Sequence, residues 1–321
     1  MSEEIKYCDK AIAEALKFYE ENYNIIVIPL PERETYIDTT NEYVCRFCGK
    51  NLTQTTFKMK AHAIPEFMGN KNLLSKNECD LCNREFGQNY EDHLARMLLP
   101  VNSFTQVKGK NGIPTYKSED KKIKIKTINK RMVISHSNSE KIKIDKKNKI
   151  ISIEFASQRF IPIKAYSAFL KMALSIMPEN ELIFFEPCIN YLKGRLKGKI
   201  KLFPFVLTTF TNGYKPYKQV INYLCIRKNE NYNIPYMLYI LATGNYMYQI
   251  IVPSVEKDKL NHNEKKQYTI KPFPSPYSIG SSIKEIRKSE YELIDFHSNQ
   301  LTTIKKAYAG TYQVESQNMN L

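Results

Sequence analysis

The sequence predicts an α+β protein in which a small zinc-stapled module is followed by a mixed α+β domain with antiparallel strands. Three observations lead to this prediction. Two CxxC pairs lie within residues 41–100, and four cysteines can hold one tetrahedral Zn²⁺. Segments between residues 121 and 155 alternate apolar and polar side chains, as half-exposed strands do. Residues 164–177 repeat apolar side chains at helical spacing, which predicts a core helix.

The start of the chain predicts one helix and one strand. Residues 9–23 repeat apolar side chains at helical intervals, and residues 24–29 form a short apolar run that ends at a proline. We expect residues 1–40 to pack on the module of residues 41–100. Residues 101–321 would then form a separate unit.

That last unit is predicted to begin as a basic β-meander after a linker containing Gly109, Gly112 and Pro114. Its strands would be KKIKIK (121–126), RMVIS (131–135), KIKID (141–145) and KIISIEF (149–155). Three later strands are expected at residues 220–227, 236–242 and 246–252, the last two joined by Thr243-Gly244-Asn245. Their tyrosines suit base stacking or an ordinary sheet. The tail from about residue 310 is expected to be frayed.

Composition favours a globular protein with a polyanionic partner. The 321 residues are 42% hydrophobic and carry a net charge of +15, enough length for two domains. No apolar run approaches the roughly 20 residues that span a bilayer, and the acidic N-terminus does not resemble a secretory signal. We therefore expect a cytoplasmic protein, whose reducing surroundings favour metal-bound thiolates over disulfides.

The positive charge is concentrated in one part of the chain. Residues 101–150 contain 14 Lys or Arg but 4 Asp or Glu. An AT-rich coding bias explains some of the lysine excess, yet it does not explain the clustering. Lys122, Lys124 and Lys126 would share one face of a strand. That face is either a nucleic-acid track or a solvated surface, and both interpretations stay open.

The cysteines predict a structural zinc site. The expected ligands are Cys45, Cys48, Cys79 and Cys82. A redox role is less consistent with two such pairs, whereas a zinc ribbon that only binds nucleic acid stays possible. The remaining cysteines are expected to be ordinary thiols: Cys8, Cys188 and Cys225.

The residues between and after the cysteine pairs carry a family resemblance. They read Ala61-His62-Ala63-Ile64-Pro65-Glu66-Phe67-Met68-Gly69-Asn70-Lys71, then Glu78-Cys79-Asp80-Leu81-Cys82-Asn83, then Phe86-Gly87 and Glu91-Asp92. This stretch resembles the HNH endonucleases, whose active site has the ββα-metal fold. It is similar to the branch with the pattern AHxIPExxGN…CxxCN…FG…E, which includes nucleases of bacterial anti-phage defence. The resemblance covers residues 41–100, and no family is recognised in residues 120–321.

The resemblance implies a role for each motif residue. His62 would end the first strand of a β-hairpin and act as general base, which suits an imidazole that titrates near neutral pH. Asn83 would open the helix and bind one catalytic Mg²⁺ or Mn²⁺. The products would carry a 5′-phosphate and a 3′-hydroxyl. Other residues would shape the loop after His62 or tie it to the helix: Pro65, Gly69, and either Asn70 or Asn72.

One position departs from the family pattern. Many members place an acidic or histidine metal ligand directly before the general base, where this chain has Ala61. An amide alone holds a dication poorly, so a carboxylate is needed. Glu91, eight residues after Asn83 on a similar helix face, is the expected second ligand. Asp92, His93 and a residue from the first 40 are the alternatives.

The leading hypothesis is a metal-dependent endonuclease that acts on double-stranded DNA. The C-terminal domain would bind DNA, form a homodimer, or sense a ligand or partner protein that licenses cutting. A role in phage defence rests on the resemblance alone. The alternative is a non-catalytic zinc-dependent nucleic-acid-binding protein, in which His62 and Asn83 are relics of a lost active site. Three further histidines are expected at the surface: His136, His262 and His297.

Overall fold

The structure, a computed structural model, describes residues 10–37, 42–137, 139–195, 200–213, 215–260, 266–275 and 289–311. Within these ranges it combines helices with antiparallel sheets, which confirms the α+β prediction. None of the helices in the described part of the chain has the length and apolar character needed to cross a bilayer. The tail expected to be frayed lies, beyond Thr311, outside the described residues.

The helices and strands follow in chain order. The helices are α1 (Lys10–Asn22), α2 (Asp80–Phe86), α3 (Asp92–Phe104), α4 (Pro162–Ile176), α5 (Glu179–Leu182) and α6 (Glu186–Leu192). A π-helical turn, Gly87–Glu91, joins α2 to α3, and 3₁₀ turns lie at Glu66–Met68 and Ile183–Phe185. The strands are β1 (Tyr23–Pro29), β2 (Thr35–Tyr36), β3 (Ala61–His62), β4 (Leu73–Ser75), β5 (Tyr116–Lys117), β6 (Ile123–Ile128), β7 (Arg131–His136), β8 (Ile142–Asp145), β9 (Ile150–Ala156), β10 (Phe205–Thr211), β11 (Tyr217–Arg227), β12 (Met237–Gly244), β13 (Tyr246–Val252), β14 (Ser289–Asp295) and β15 (Lys305–Thr311).

The largest sheet has six antiparallel strands in the order β1-β11-β12-β13-β10-β14. Its central strand β12 is buried on both faces. Leu238 and Ile240 belong to one apolar cluster, and Tyr239 and Leu241 belong to another. A strand covered on both sides has no polar face, which explains the unbroken apolar run in this part of the sequence.

Helices cover the two faces of this sheet. On one face lies α4, the predicted core helix, where Tyr166 donates its hydroxyl to Ile251 O (3.1 Å) and Phe169 packs on Tyr248. On the other face lies α1, whose Tyr19 packs edge-on against Phe273 with ring centroids 4.9 Å apart. The sheet is therefore the middle layer of three.

The first 40 residues are divided differently from expectation. Strand β1 pairs along its length with β11, from Tyr23↔Arg227 to Pro29↔Ile221. Only β2 joins the module, by parallel pairing with β4. The reason is burial, since Tyr19 and Tyr23 are each at most 2% exposed within the second apolar cluster. The helix and strand thus belong to the large sheet, which corrects their expected packing on the module.

The predicted basic meander is two separate hairpins. Strands β6 and β7 form one sheet with β5, while β8 and β9 form another with β15. Asn129 and Lys130 both have positive φ (49° and 64°), as a two-residue type I′ turn requires. In β6, Ile123 and Ile125 are buried, whereas Lys124 and Lys126 are partly exposed. The predicted alternation is confirmed, but β9 pairs with β15 from the far end of the chain, and β8 does not pair with β7.

Substitution of Gly244 tests the packing at the β12–β13 turn. Gly244 has φ of +61°, and a Cβ there would lie 2.8 Å from Thr105 Oγ1. We expect Gly244→Ala to lower the free energy of unfolding by about 2–5 kcal/mol, because left-handed strain and overpacking add. Gly194→Ala is the matched control, since Gly194 has φ of +63° but no atom within 4 Å of the added Cβ. Gly194→Ala should lower the free energy of unfolding, measured by urea denaturation, by about 1–2 kcal/mol. Equal losses for the two variants would contradict the close packing at Gly244.

Candidate active site and thiolate centre

Four cysteines converge within the module. Cys45 and Cys48 flank a tight turn in which Gly49, at φ +72°, donates its N–H to Cys45 O (2.7 Å). Cys79 is the N-cap of α2, and Cys82 lies in the first turn of that helix. All four Sγ atoms lie within 4.8 Å of one another.

This cluster fits a structural zinc ion. Zn–S bonds of about 2.3 Å in a tetrahedron separate the sulfurs by about 3.8 Å, and Cys48 Sγ lies 3.7 Å from Cys79 Sγ. The hydrogen bond between Cys45 and Cys82 lowers the pKa of Cys45 and raises that of Cys82, so in the metal-free cluster Cys45 is the sulfur most readily present as the thiolate that metals bind. Lys193 Nζ, 3.4 Å from Cys82 Sγ, adds a positive charge beside the sulfurs.

The other two cysteines in the described part of the chain take no part in this centre. Cys188 and Cys225 are buried elsewhere in the core, as expected of ordinary thiols. Cys8 lies outside the described residues.

The three residues predicted for catalysis line one cleft of about 700 Å³. His62 ends β3, which pairs antiparallel with β4, so it does end the first strand of a hairpin. Asn83 is the fourth residue of α2 instead of its first, because Cys79 occupies the N-cap. The remaining charged side chains of the cleft are three lysines and two further acids: Lys60, Lys71, Lys110, Glu34 and Glu66.

The π-helical turn determines the helix face on which Glu91 lies. In an uninterrupted α-helix, eight residues rotate by about 800°, which would leave Glu91 about 80° away from Asn83. The turn inserts one residue, since the N–H of Asp92 bonds to Gly87 O, five residues back. Eight residues then cover about two turns. The similar face predicted for Glu91 and Asn83 is therefore produced by the π-turn.

Two asparagines hold the backbone around the cleft. The buried Asn70 donates Nδ2 to Ile64 O (2.6 Å) and Leu73 O (2.9 Å), and its Oδ1 accepts the Leu73 N–H (2.9 Å). Asn72 donates Nδ2 to the carbonyls of residues 31–32. Asn70 thus ties the loop to β4, and Asn72 ties in the segment before β2. Neither bond reaches the helix, contrary to what the resemblance implied.

A buried lysine on α4 contacts two residues of the cleft. Lys171 Nζ lies 3.2 Å from Glu91 Oε1 and 3.2 Å from His62 O. It also lies 3.0 Å from Glu78 Oε2, and the Glu78 side chain has no exposed surface. Burial disfavours the charge on Lys171, yet the two carboxylates hold its pKa above the ordinary value. Burial also raises the pKa of Glu78 to about 7, against the lowering effect of Lys171. The three side chains therefore form an ionisable network behind the cleft.

Sequence reasoning missed this network. Lys171 is the one charged residue between positions 165 and 177 of an otherwise apolar helix. Burial of an unpaired charge costs free energy, so this lysine alone predicts a buried carboxylate nearby. The sequence does not indicate which carboxylates are its partners.

The weaker metal-ligand candidates lie outside the lining of the cleft. Asp92 pairs with Arg96 (2.8 Å), and the buried His93 accepts the Ile161 N–H at Nδ1 (3.1 Å). Both are engaged in structural contacts. Glu34, from the segment before β2, does line the cleft and lies 2.5 Å from Lys60 Nζ. The first 40 residues thus supply one carboxylate to the cleft.

The other residues singled out from the sequence lie elsewhere. Lys122, Lys124 and Lys126 are on or next to β6 and do not line the cleft, so their nucleic-acid role stays a prediction. His136 and His297 are exposed. His262 lies outside the described residues.

Within the described ranges, the four cysteines are the one group of at least three His, Cys, Asp or Glu whose ligand atoms come close enough for a shared metal. A cation in the cleft would therefore rely on fewer protein ligands. One carboxylate, an amide oxygen, water and a phosphate form a ligand set that Mg²⁺ commonly uses. Glu91 and Asn83 fit that set.

Comparison with known proteins identifies the module. Residues 45–99, about one sixth of the chain, match the model of the HNH endonuclease family. No match was found among curated proteins or solved structures. The family match confirms the resemblance for the module, supports a nuclease of the HNH type and implies a nucleic-acid substrate.

Loss of the metal should unfold the module. Structural zinc contributes about 10–16 kcal/mol of apparent binding energy in small zinc peptides. We expect about one zinc per wild-type chain, and Cys48→Ala should lose most of it and melt at a lower temperature. Zinc released by thiol modification and read with a chromogenic chelator measures this. Cys225→Ala, remote from the cluster, should retain the metal. Zinc-free wild-type protein from zinc-sufficient cells would contradict the assignment.

Replacement of the buried Lys171 should destabilise the fold. Lys171→Met leaves two carboxylates without their counter-charge, so we expect the free energy of unfolding to fall by about 3–5 kcal/mol. Urea denaturation measures the loss. The control is Lys164→Met, about two turns earlier on α4, because Lys164 forms no ion pair among the described residues. It should change the free energy of unfolding by less than about 1 kcal/mol. Adding Glu78→Gln to Lys171→Met should restore part of the loss. No restoration would argue against the network.

Proposed function

We propose that this protein is a metal-dependent HNH endonuclease that hydrolyses phosphodiester bonds of double-stranded DNA. One observation carries the proposal. His62, Asn83 and Glu91 all lie inside the stretch that matches the HNH endonuclease family. They line a single cleft together with three lysines. Products with a 5′-phosphate and a 3′-hydroxyl follow from the resemblance.

His62 would be the general base. A ring nitrogen would take a proton from the water that attacks phosphorus, and general bases of this kind contribute roughly 10²–10⁴-fold. The backbone of His62 is held by its pairing with Leu74 and by the contact of its carbonyl with Lys171. Such support keeps the imidazole at a constant position relative to a bound phosphate.

Asn83 and Glu91 would hold a Mg²⁺ or Mn²⁺ ion, which when bound supplies Lewis-acid stabilisation of the phosphate and the leaving oxygen. Lys171 contacts Glu91 Oε1, so Oε2 would be the ligand atom. The same lysine contacts the Glu91 carboxylate and so orients it. Because Ala61 supplies no ligand, Glu91 replaces the acidic group that many family members carry before the base.

Lysines of the cleft would receive the DNA backbone. Lys60, Lys71 and Lys110 line the cleft together with the catalytic groups, and lysine contacts to phosphate supply affinity without reading sequence. Lys122, Lys124 and Lys126 on the β6 hairpin would extend this surface. A cytoplasmic location, a role in phage defence, and a C-terminal domain that binds DNA, forms a homodimer or senses an activating ligand or partner protein complete the proposal.

A second candidate is a zinc-dependent nucleic-acid-binding protein without catalysis. Two observations favour it: Ala61 occupies the usual ligand position, and Glu91 is already paired with Lys171. In that case the cleft would bind phosphate and cut nothing.

Replacement of His62 separates the two candidates. His62→Ala should lose at least about 100-fold in cleavage of plasmid DNA with Mg²⁺ or Mn²⁺, because the water loses its base. DNA affinity, measured by fluorescence anisotropy, should stay within about threefold. His136→Ala, an exposed histidine on β7, is the matched control and should cleave normally.

A dormant enzyme would mimic inactivity in vitro, so growth of cells that express each variant is the second readout. Wild type and His136→Ala should be toxic, while His62→Ala and Glu91→Gln should not. Equal growth of all four, together with uncut plasmid, would favour the binding protein.

A further inference from the structure

A second cavity, which we call the lysine pocket, lies where the module meets the large sheet. Its volume is about 340 Å³, within the size range of small-ligand sites. Four segments form its walls, within residues 30–32, 69–72, 107–108 and 215–220, and Thr243 adds to them. No residue proposed for catalysis belongs to it.

The walls of the lysine pocket are held by close packing. Gly69 has φ of +101°, and a Cβ there would lie 3.1 Å from Val220 Cγ2. Thr243 donates its hydroxyl to Met68 O (2.9 Å), and Asn72 donates to Pro31 O (3.0 Å). These bonds join the module, the sheet and the N-terminal segment around the cavity. The pocket is therefore preformed.

The charge of the lysine pocket is strongly positive. Four lysines line it against one acid, Glu32: they are Lys71, Lys108, Lys215 and Lys218. In the part of the chain that the structure describes, none of these lysines forms an ion pair. Lys215 is half-buried and donates to Gln106 O (3.1 Å), a neutral partner. Burial and the charge of Lys108 both lower the pKa of Lys215.

Two other lysines of the described ranges, whose side chains have little exposed surface, have carboxylate partners. Lys171 pairs with Glu78 and Glu91, and Lys193 pairs with Glu85. Buried charges in proteins are generally paired, because desolvation is costly. Lys215 lacks such a partner among the described residues, so an anion in the pocket would supply the counter-charge that the fold does not.

The lysine pocket and the catalytic cleft are neighbours. Lys71 lines both cavities. The chain also passes from one to the other twice, since Glu32 and Lys108 line the pocket while Glu34 and Lys110 line the cleft. A strand of DNA carries one phosphate per about 3.4 Å of helix rise. A strand leaving the cleft past Lys71 would thus bring phosphates to the pocket.

We propose that the lysine pocket binds a phosphate group. The group comes from the DNA strand that continues beyond the cleft, which rests on the proposed function, or from a free nucleotide. Lysines suit either source because they bind phosphate as point charges.

Three lysines are replaced together to test the pocket: Lys108→Gln, Lys215→Gln and Lys218→Gln. Lys71 is kept because it also lines the cleft. The control has the same loss of charge at exposed residues of the β8–β9 hairpin: Lys143→Gln, Lys146→Gln and Lys147→Gln. Binding of a fluorescein-labelled DNA duplex is measured by anisotropy without divalent cations, from about 50 to about 200 mM NaCl.

If substrate phosphates occupy the pocket, each lost contact lowers the logarithmic salt slope by about 0.9. For three lost contacts, the increase in salt from about 50 to about 200 mM should weaken DNA binding by wild type and control about 40-fold more than DNA binding by the pocket variant. If a free nucleotide is the ligand, about 1 mM ATP should raise the melting temperature of wild type and control but not of the variant. The DNA slope would then be unchanged. An unchanged slope together with no selective ATP effect would overturn the proposal.

A double variant that keeps Lys215 is also tested, because loss of the Lys215 hydrogen bond could by itself disturb folding of the triple variant. Lys108→Gln with Lys218→Gln is compared with Lys143→Gln and Lys146→Gln in the same two assays, with the salt effect reduced to about 12-fold for two contacts. Neither assay involves cleavage. Protein that binds through the pocket without cutting DNA contradicts only the proposed function. Protein that cuts DNA but shows neither effect contradicts only the pocket.

Discussion

The positive charge of Lys171 connects the two halves of the molecule. It comes from α4, in the layer that covers the large sheet, and it contacts Glu78, Glu91 and the His62 carbonyl of the module. In a protein interior such a charge is tolerated only when its partners are placed accurately. The arrangement of strand β3, the π-turn and the approach to the second cysteine pair is therefore linked to the position of one helix.

The cysteine cluster and the π-turn have complementary roles around the cleft. The cysteine cluster holds the turn after β2 against the start of α2, while the π-turn brings Glu91 onto the face of Asn83. Neither constraint alone would bring His62, Asn83 and Glu91 together. Asn70 then joins the intervening loop to β4. The cleft results from several local constraints that agree, as functional sites on rigid elements require.

Local signals allowed much of this arrangement to be predicted. The CxxC spacing specifies its own ligand geometry, and the helix at residues 164–177 and strands β12 and β13 follow from periodicity. Other features depend on distant partners. Strand β1 pairs with β11, about 200 residues away, and β9 pairs with β15 from the far end of the chain. Neither pairing leaves a pattern in the paired segment itself.

Within the candidate site, the same distinction holds. The motif indicated His62 and Asn83, and helix spacing pointed to Glu91 although that spacing was incomplete without the π-turn. Lys171 was visible as an isolated charge, but its partners depend on how α4 packs. The lysine pocket combines four segments, so no single stretch of sequence could reveal it.

The shared core limits how this nuclease module could be reused by other proteins. One apolar cluster runs from Cys45 and Phe86 through Leu94 to Phe169, so residues 41–100 have no interior of their own. A fragment cut out at those bounds would expose α3 to water and leave Glu78 buried beside no lysine. Transfer of the module between proteins would require α4, or a helix that presents a lysine at the same place, to move with it.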